Sequence, residues 1–143
     1  MSLANPSTHT DAFVALLRAA GIVTGDAAPP AEQFGHQSSR GGTFIPYVVV
    51  WPLIQTHDGP LGYPDAHSDF SWQVTCTADT RSACDALRFA VDQALIGQPL
   101  EVAGRTVLRI RPDESGASQV RPDNSNPARP VLISTPRYVA FSS

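Results

Sequence analysis

Residues 70–77 alternate without a break. Phe70, Trp72, Val74 and Cys76 are apolar, while Ser71, Gln73, Thr75 and Thr77 are polar. A period of two is that of a β-strand with one face on a core and one face on solvent. Such a strand needs an apolar layer over Phe70 and Trp72 and neighbours for its backbone. That requirement organises the rest of the chain.

A second strand is expected over Pro46–Ile54. Tyr47-Val48-Val49-Val50-Trp51 is β-branched or aromatic throughout, which favours a strand. An apolar residue at every position implies burial on both faces. Pro46 and Pro52 bracket it, because proline cannot donate to a central ladder. The polar connection Thr56–Asp69 makes the two strands a long-looped antiparallel hairpin.

The covering layer is read as two helices. Phe13, Leu16, Leu17 and Ala20 fall at helical spacing, with Thr8 and Asp11 as a capping box and Gly21 as the terminator. This gives a short helix over Asp11–Ala20. Cys84, Leu87, Val91 and Ala94/Leu95 form the stripe of a second helix, capped by Asp79 or Thr80 and closed by Gly97. Further on, Leu100-Glu101-Val102 and Thr106–Arg111 flank an Ala103-Gly104-Arg105 turn. Within the later run Val107 and Arg109 are expected on one face, Leu108 and Ile110 on the other. Pro136 divides Val131–Thr135 from Arg137–Phe141 and predicts a bulge or an edge strand.

The order α, β, β, α, β, β predicts an α+β fold: an antiparallel sheet of about four strands with two helices packed on one face. Residues 1–143 read as one domain, since 143 residues is the commonest domain size. Long loops are expected near 25–43, 56–69 and 112–130. Loops of that length in a compact domain are usually functional or disordered.

Charge excludes some functions. The net charge is −3 and only 16% of residues are charged, against about 25% in ordinary domains. A nucleic-acid clamp shows a basic excess, and none exists. No apolar run approaches the ~20 residues that span a bilayer. Met1–Asp11 has no basic or apolar region of a secretory signal, so assembly in a cytoplasm is expected. A charge-poor surface is cheap to desolvate against other subunits. The chain has no lysine. Arg105, Arg109, Arg111, Arg121, Arg129 and Arg137 bias its C-terminal third, and arginine is favoured at interfaces.

Signs of catalysis are few. His57, Asp58, Asp65, His67 and Asp69 could supply metal ligands, but their spacing fits neither helix nor strand. His9 and His36 have no nucleophile and carboxylate nearby in sequence, and a triad needs all three in space. No G-x-S-x-G, phosphate loop or G-x-G-x-x-G is present. Cys76 and Cys84 match no zinc or redox spacing and read as small core residues. No catalytic residue, metal or cofactor is assigned. Candidate subunit-contact residues are His57, Asp58, Tyr63, Asp65, His67, Arg121, Arg129 and Arg137.

The layout resembles the tail terminator, or tail-completion, proteins of long-tailed bacteriophages, also seen as minor tail proteins. The resemblance runs through the helix Asp11–Ala20, the proline-led strand Pro46-Tyr47-Val48-Val49-Val50 and the alternating strand Phe70–Thr77. It continues through the helix Ser82–Ile96, the step Ala94-Leu95-Ile96-Gly97-Gln98-Pro99-Leu100 into Val107-Leu108-Arg109, and the late strand Pro130–Phe141. It covers most of the chain, as layout more than signature motif. It implies a virion protein without catalytic residues: a ring, usually of six subunits, at the head-proximal end of the tail. Such a ring caps the tail tube and meets a head-side connector or stopper protein, and DNA passes its lumen without specific binding. The long Pro112–Pro130 loop and the His/Asp-rich Thr56–Asp69 segment depart from the pattern. Head-to-tail connectors share this length and layout and are the alternative, ahead of a small metal-dependent enzyme using the 57–69 loop or a monomeric ligand-binding domain.

Overall fold

A computed structural model describes residues 4–30, 44–53, 55–58, 67–113, 119–124 and 131–143. Their elements are α1 (Pro6–Ala19), β1 (Thr24–Asp26), β2 (Tyr47–Pro52), β3 (Thr56–Asp58) and β4 (His67–Ala78). Then come α2 (Arg81–Leu95), β5 (Arg111–Pro112), β6 (Arg121–Asp123), β7 (Val131–Ser134) and β8 (Arg137–Ser142).

The alternating segment is the organising strand. β4 pairs on one side with β2 and β3 and on the other with β8 and β7, all antiparallel. β7 and β8 are two halves of one column, interrupted at Thr135-Pro136. The gap is bridged by Val74 N–H donating to the Pro136 carbonyl at 3.0 Å. Pro136 therefore marks a break beside the central strand rather than a sheet edge. β6 pairs with β7 and β5 with β8 beyond them, and β1 runs parallel to β2 at the far edge.

The α+β class holds, but the sheet is larger than four strands and mixed: eight strands among the described residues, with one parallel pair. The extra strands β1, β3, β5 and β6 have two or three residues each. They fall in or beside Gly-, Pro- and Asp-rich stretches expected to be loops. Strands so short leave no periodicity in sequence; their backbone pairing comes from long strands alongside. Of the two β runs expected around the Ala103-Gly104-Arg105 turn, 100–102 is not a strand, and 106–111 holds a single bridge at Val107 before β5. Val102 and Arg105 close a turn, and 106–112 runs along β8 instead.

Both helices cover one face. Phe13, Val14 and Leu17 of α1 and Val91 and Leu95 of α2 pack over Val48, Val50, Phe70, Trp72, Val74, Tyr138 and Ala140. The Phe13 and Trp72 rings stack at 4.4 Å, and Trp72 Nε1 donates to Thr10 Oγ1 at 3.1 Å. Burying each large apolar side chain contributes about 1.5–3 kcal/mol. Val48, Val49 and Val50 are all buried, as the unbroken apolar run of β2 implies.

α1 begins a turn earlier than the Thr8–Asp11 box indicates. Asn5 is the cap, accepting from Ser7 N–H at 2.8 Å, and Pro6 opens the helix. Asparagine at the cap and proline in the first turn form a stronger start signal than the capping box. At the other end Gly21 takes φ +79°, Gly21 N–H donates to Arg18 O, and Ile22 N–H donates to Leu17 O. This is the glycine-terminated closure that the sequence predicts. α2 is capped by the Thr80 side chain.

Candidate subunit-contact surface

Among the described residues no helix covers the opposite face of the sheet, although Val49 and Thr77 on it are buried. Cross-strand partners share a face, so the register defines this open face. Trp51, Gln73 and Arg137 form one row, and Ser71, Val139 and Arg111 another. Asp69 stands opposite Phe141, and Ile133 opposite both Thr77 and Arg121. The face is a mixture of apolar, amide and arginine groups. Trp51 is 39% exposed.

The structure separates the expected site residues. His67, Arg121 and Arg137 lie on the open face. Arg137 Nε donates to Gln73 Oε1 at 3.4 Å, and His67 stacks on Phe141 at 5.3 Å with its Nδ1 buried. His57 lies on the other face, because its register partner is Ser68 and not His67. Its Nδ1 sits 2.9 Å from Ser68 Oγ. Asp58 stands opposite His67 in the ladder. Tyr63, Asp65 and Arg129 lie outside the described residues. A one-residue offset in a pleat sends two imidazoles to opposite sides, so His57 and His67 do not converge on one ion. No group of three His, Cys, Asp or Glu side chains comes together among the described residues.

At the edge beside β8 the pairing slips. Val107 is opposite Ser142, yet Arg111 is opposite Val139. Four steps on one strand match three on the other, which is a β-bulge. The extra residue shifts the facing of the chain. Val107 and Ile110 both point into the core, while Leu108 and Arg109 both point out. This overturns the strict alternation expected for 107–110 and leaves Leu108 56% exposed. Leu108, Arg109, Arg111 and Phe141 line a recess of about 360 Å³. Arg109 Nη1 is held by the Gly97 carbonyl at 2.8 Å. A second recess, about 590 Å³, opens beside β1 between Arg18, Thr24, Asp26 and Pro30.

Phe89 was not singled out by motif, although the α2 stripe places it off the buried face. It is 62% exposed, one turn after Asp85. A network that sequence reading missed also lies behind Phe141. His9, fully buried, meets Ser142 Oγ at 2.9 Å through Nε2, and Nδ1 meets the Asn5 carbonyl at 2.7 Å. Arg105 Nε donates to Ser142 Oγ at 3.1 Å and Nη2 to the Ser142 carbonyl at 3.1 Å. Burial, opposed by the Asn5 bond and aided by the Arg105 charge, holds the His9 pKa below 6.5. This Ser–His pair has a backbone carbonyl where a triad has its carboxylate, and both side chains are closed to solvent. It fastens α1 to the last strand.

No protein-family model matches the sequence, and no curated protein matches it. Among solved structures the chain is similar to a chain in the virion of a native gene transfer agent particle. The TM-score is 0.58 at 16% identity, over 90% of this chain and 84% of that one. At that identity the likeness establishes a common fold.

Proposed function

We propose that the chain is a structural subunit of a phage-type virion, acting through contacts with other proteins and not through catalysis. The observation that carries this reading is the fold shared, over most of both chains, with a component of a gene transfer agent virion. The finer assignment is a tail terminator: a hexameric ring at the head-proximal end of the tail, between the tail tube protein and a connector or stopper. The layout of the sequence supports it. So does a sheet face that no helix covers among the described residues, carrying Trp51, Val139, Phe141, Arg121 and Arg137. A closed ring buries such surfaces between neighbours. A net charge of −3 suits a lumen that DNA traverses, since strong phosphate attraction would retain it.

Light scattering of the purified chain over a range of concentrations, alone and with tail tube protein, tests this. A hexamer-sized particle, or rings formed on tube protein, is the expected result. Rings that bind a connector but ignore the tube would move the chain to the connector position. A monomer indifferent to both, holding stoichiometric zinc or manganese lost in His67→Ala, would overturn the reading in favour of a metal site.

A further inference from the structure

Two exposed apolar features stand on opposite layers of the molecule. The first is Phe89, 62% exposed on the outer side of α2, with Asp85 one turn before it. The second is the recess between Leu108 and Phe141, flanked by Arg109 and Arg111. Phe141 belongs to the open sheet face, since Tyr138 and Ala140 of the same strand point to the helices. One feature projects and ends in an aromatic ring beside a carboxylate. The other is concave and combines two apolar side chains, Leu108 and Phe141, with two arginines, Arg109 and Arg111.

We infer that Phe89 of one copy enters the Leu108–Phe141 recess of the next copy, with Asp85 meeting Arg111. This rests on the ring reading and names the contact that builds the ring. A second copy is the occupant that the charges favour. The projecting side brings the carboxylate and the receiving side brings the guanidinium groups, so both halves of the match are on this chain. Asp69 stands opposite Phe141 across the ladder, while the recess itself is lined by Leu108, Arg109, Arg111 and Phe141. Within its own chain Asp85 pairs with Arg81, at 3.5 Å on an exposed helix face. Exposed pairs of that kind are weak and readily exchanged.

The geometry fixes the kind of assembly. Knob and recess are different surfaces, so the contact is heterologous and leaves the joined pair one free knob at one end and one free recess at the other. Such contacts propagate and close into rings when the rotation permits. The β-bulge has a role here: with Val107 inward, Leu108 faces out by ordinary alternation, and the extra residue keeps Arg109 outward beside it before Ile110 returns to the core.

The test is the size of the full chain by light scattering, in the condition where the wild type assembles, alone or on tail tube protein. Phe89→Ser and Leu108→Ser each change an exposed residue and are expected to keep the wild-type thermal midpoint. Each should weaken assembly at least about tenfold, as loss of an interface anchor does. Mixed together, they should form a dimer that grows no further, because one intact knob and one intact recess remain. Asp85→Arg and Arg111→Asp should each weaken assembly, and the double exchange should restore it. Variants that assemble like the wild type would overturn this contact and leave the ring standing. A wild type that stays monomeric even with tube protein would overturn both.

Discussion

His9 and Ser142 are 133 residues apart in the chain, yet their Nε2 and Oγ atoms lie 2.9 Å apart in a site closed to water. The bonds around them assign the protons. Nδ1–H donates to the Asn5 carbonyl, so Nε2 accepts from the Ser142 hydroxyl, whose oxygen in turn accepts from Arg105. A second proton on His9 would remove that acceptor and place a charge beside Arg105. Phe70, stacked on the ring at 4.1 Å, offers no compensating charge.

The folded chain therefore resists protonation of His9, while the unfolded chain takes a proton near pH 6.5. A depressed folded pKa means that this contribution is whole above pH 6.5 and is lost as pH falls below it. Urea unfolding from pH 8 to pH 5 should show stability declining across the lower half of that range. His9→Gln should cost about 1–3 kcal/mol at pH 8, the usual consequence of a disrupted buried hydrogen bond. It should also flatten the pH dependence. An unchanged slope in His9→Gln would assign the acid sensitivity to other groups.

Tyr138 ties β8 to α2. Its hydroxyl donates to Asp92 Oδ1 at 2.5 Å from a fully buried ring. Burial, and then the Asp92 bond and charge, push the phenol far above its ordinary pKa. Tyr138→Phe should cost about 1–3 kcal/mol by leaving a half-buried carboxylate short of a donor. Asp92→Asn keeps an acceptor and should cost less. A double-mutant cycle of thermal or urea unfolding should give a coupling of about 0.5–3 kcal/mol. No coupling would mean that the two groups are solvated independently.

Much of this architecture was legible because long elements advertise their period. β4 declared itself by eight alternating residues, and the expected helix Ser82–Ile96 lies within a residue of α2 at each end, with Cys84, Val91 and Leu95 of its stripe buried. The termini Gly21 and Gly97 were also readable, since both take positive φ. What escaped was set by register and distance. A bulge between 107 and 111 adds one residue that no local pattern records, so the outward facing of Leu108 and Arg109 together could not be inferred. His57 and His67 look like a pair in sequence, and a single offset in the β3–β4 ladder parts them. His9 found its serine at the opposite end of the chain, where no spacing rule reaches.

Gly25 is required by space, not by a positive φ. A Cβ built there would lie 2.0 Å from the Ala28 carbonyl oxygen. The turn that brings Ala28 so near is held by Ala27 N–H donating to Val50 O at 2.9 Å, with Ala27 at φ +52°. Gly25→Ala must push this turn off the edge of β2. A cost of about 1–3 kcal/mol is expected for such overpacking. Amide exchange should quicken at Ala27 while the β4 amides stay protected in proportion to global stability. A variant as stable as the wild type, with Ala27 still protected, would show that the turn has room to move.

Cys76 and Cys84 are both fully buried, and the Cys84 thiol points to the Cys76 carbonyl at 3.8 Å. Burial raises the pKa of each thiol. The thiolate is the reactive form, so the native chain should offer almost none, whatever the bulk pH near neutrality. A thiol reagent such as a disulfide dye should label neither cysteine in the folded state and both in urea. Labelling of the native chain should then proceed only through opening, at a rate that rises with the fraction unfolded. Tyr138→Phe provides the control, since it weakens the α2–β8 tie without touching either sulfur. If opening controls access, this variant should label both cysteines faster by the factor its stability loss predicts. A single thiol that reacts at once in the wild type would place Cys84 at the surface and remove α2 from the packing described.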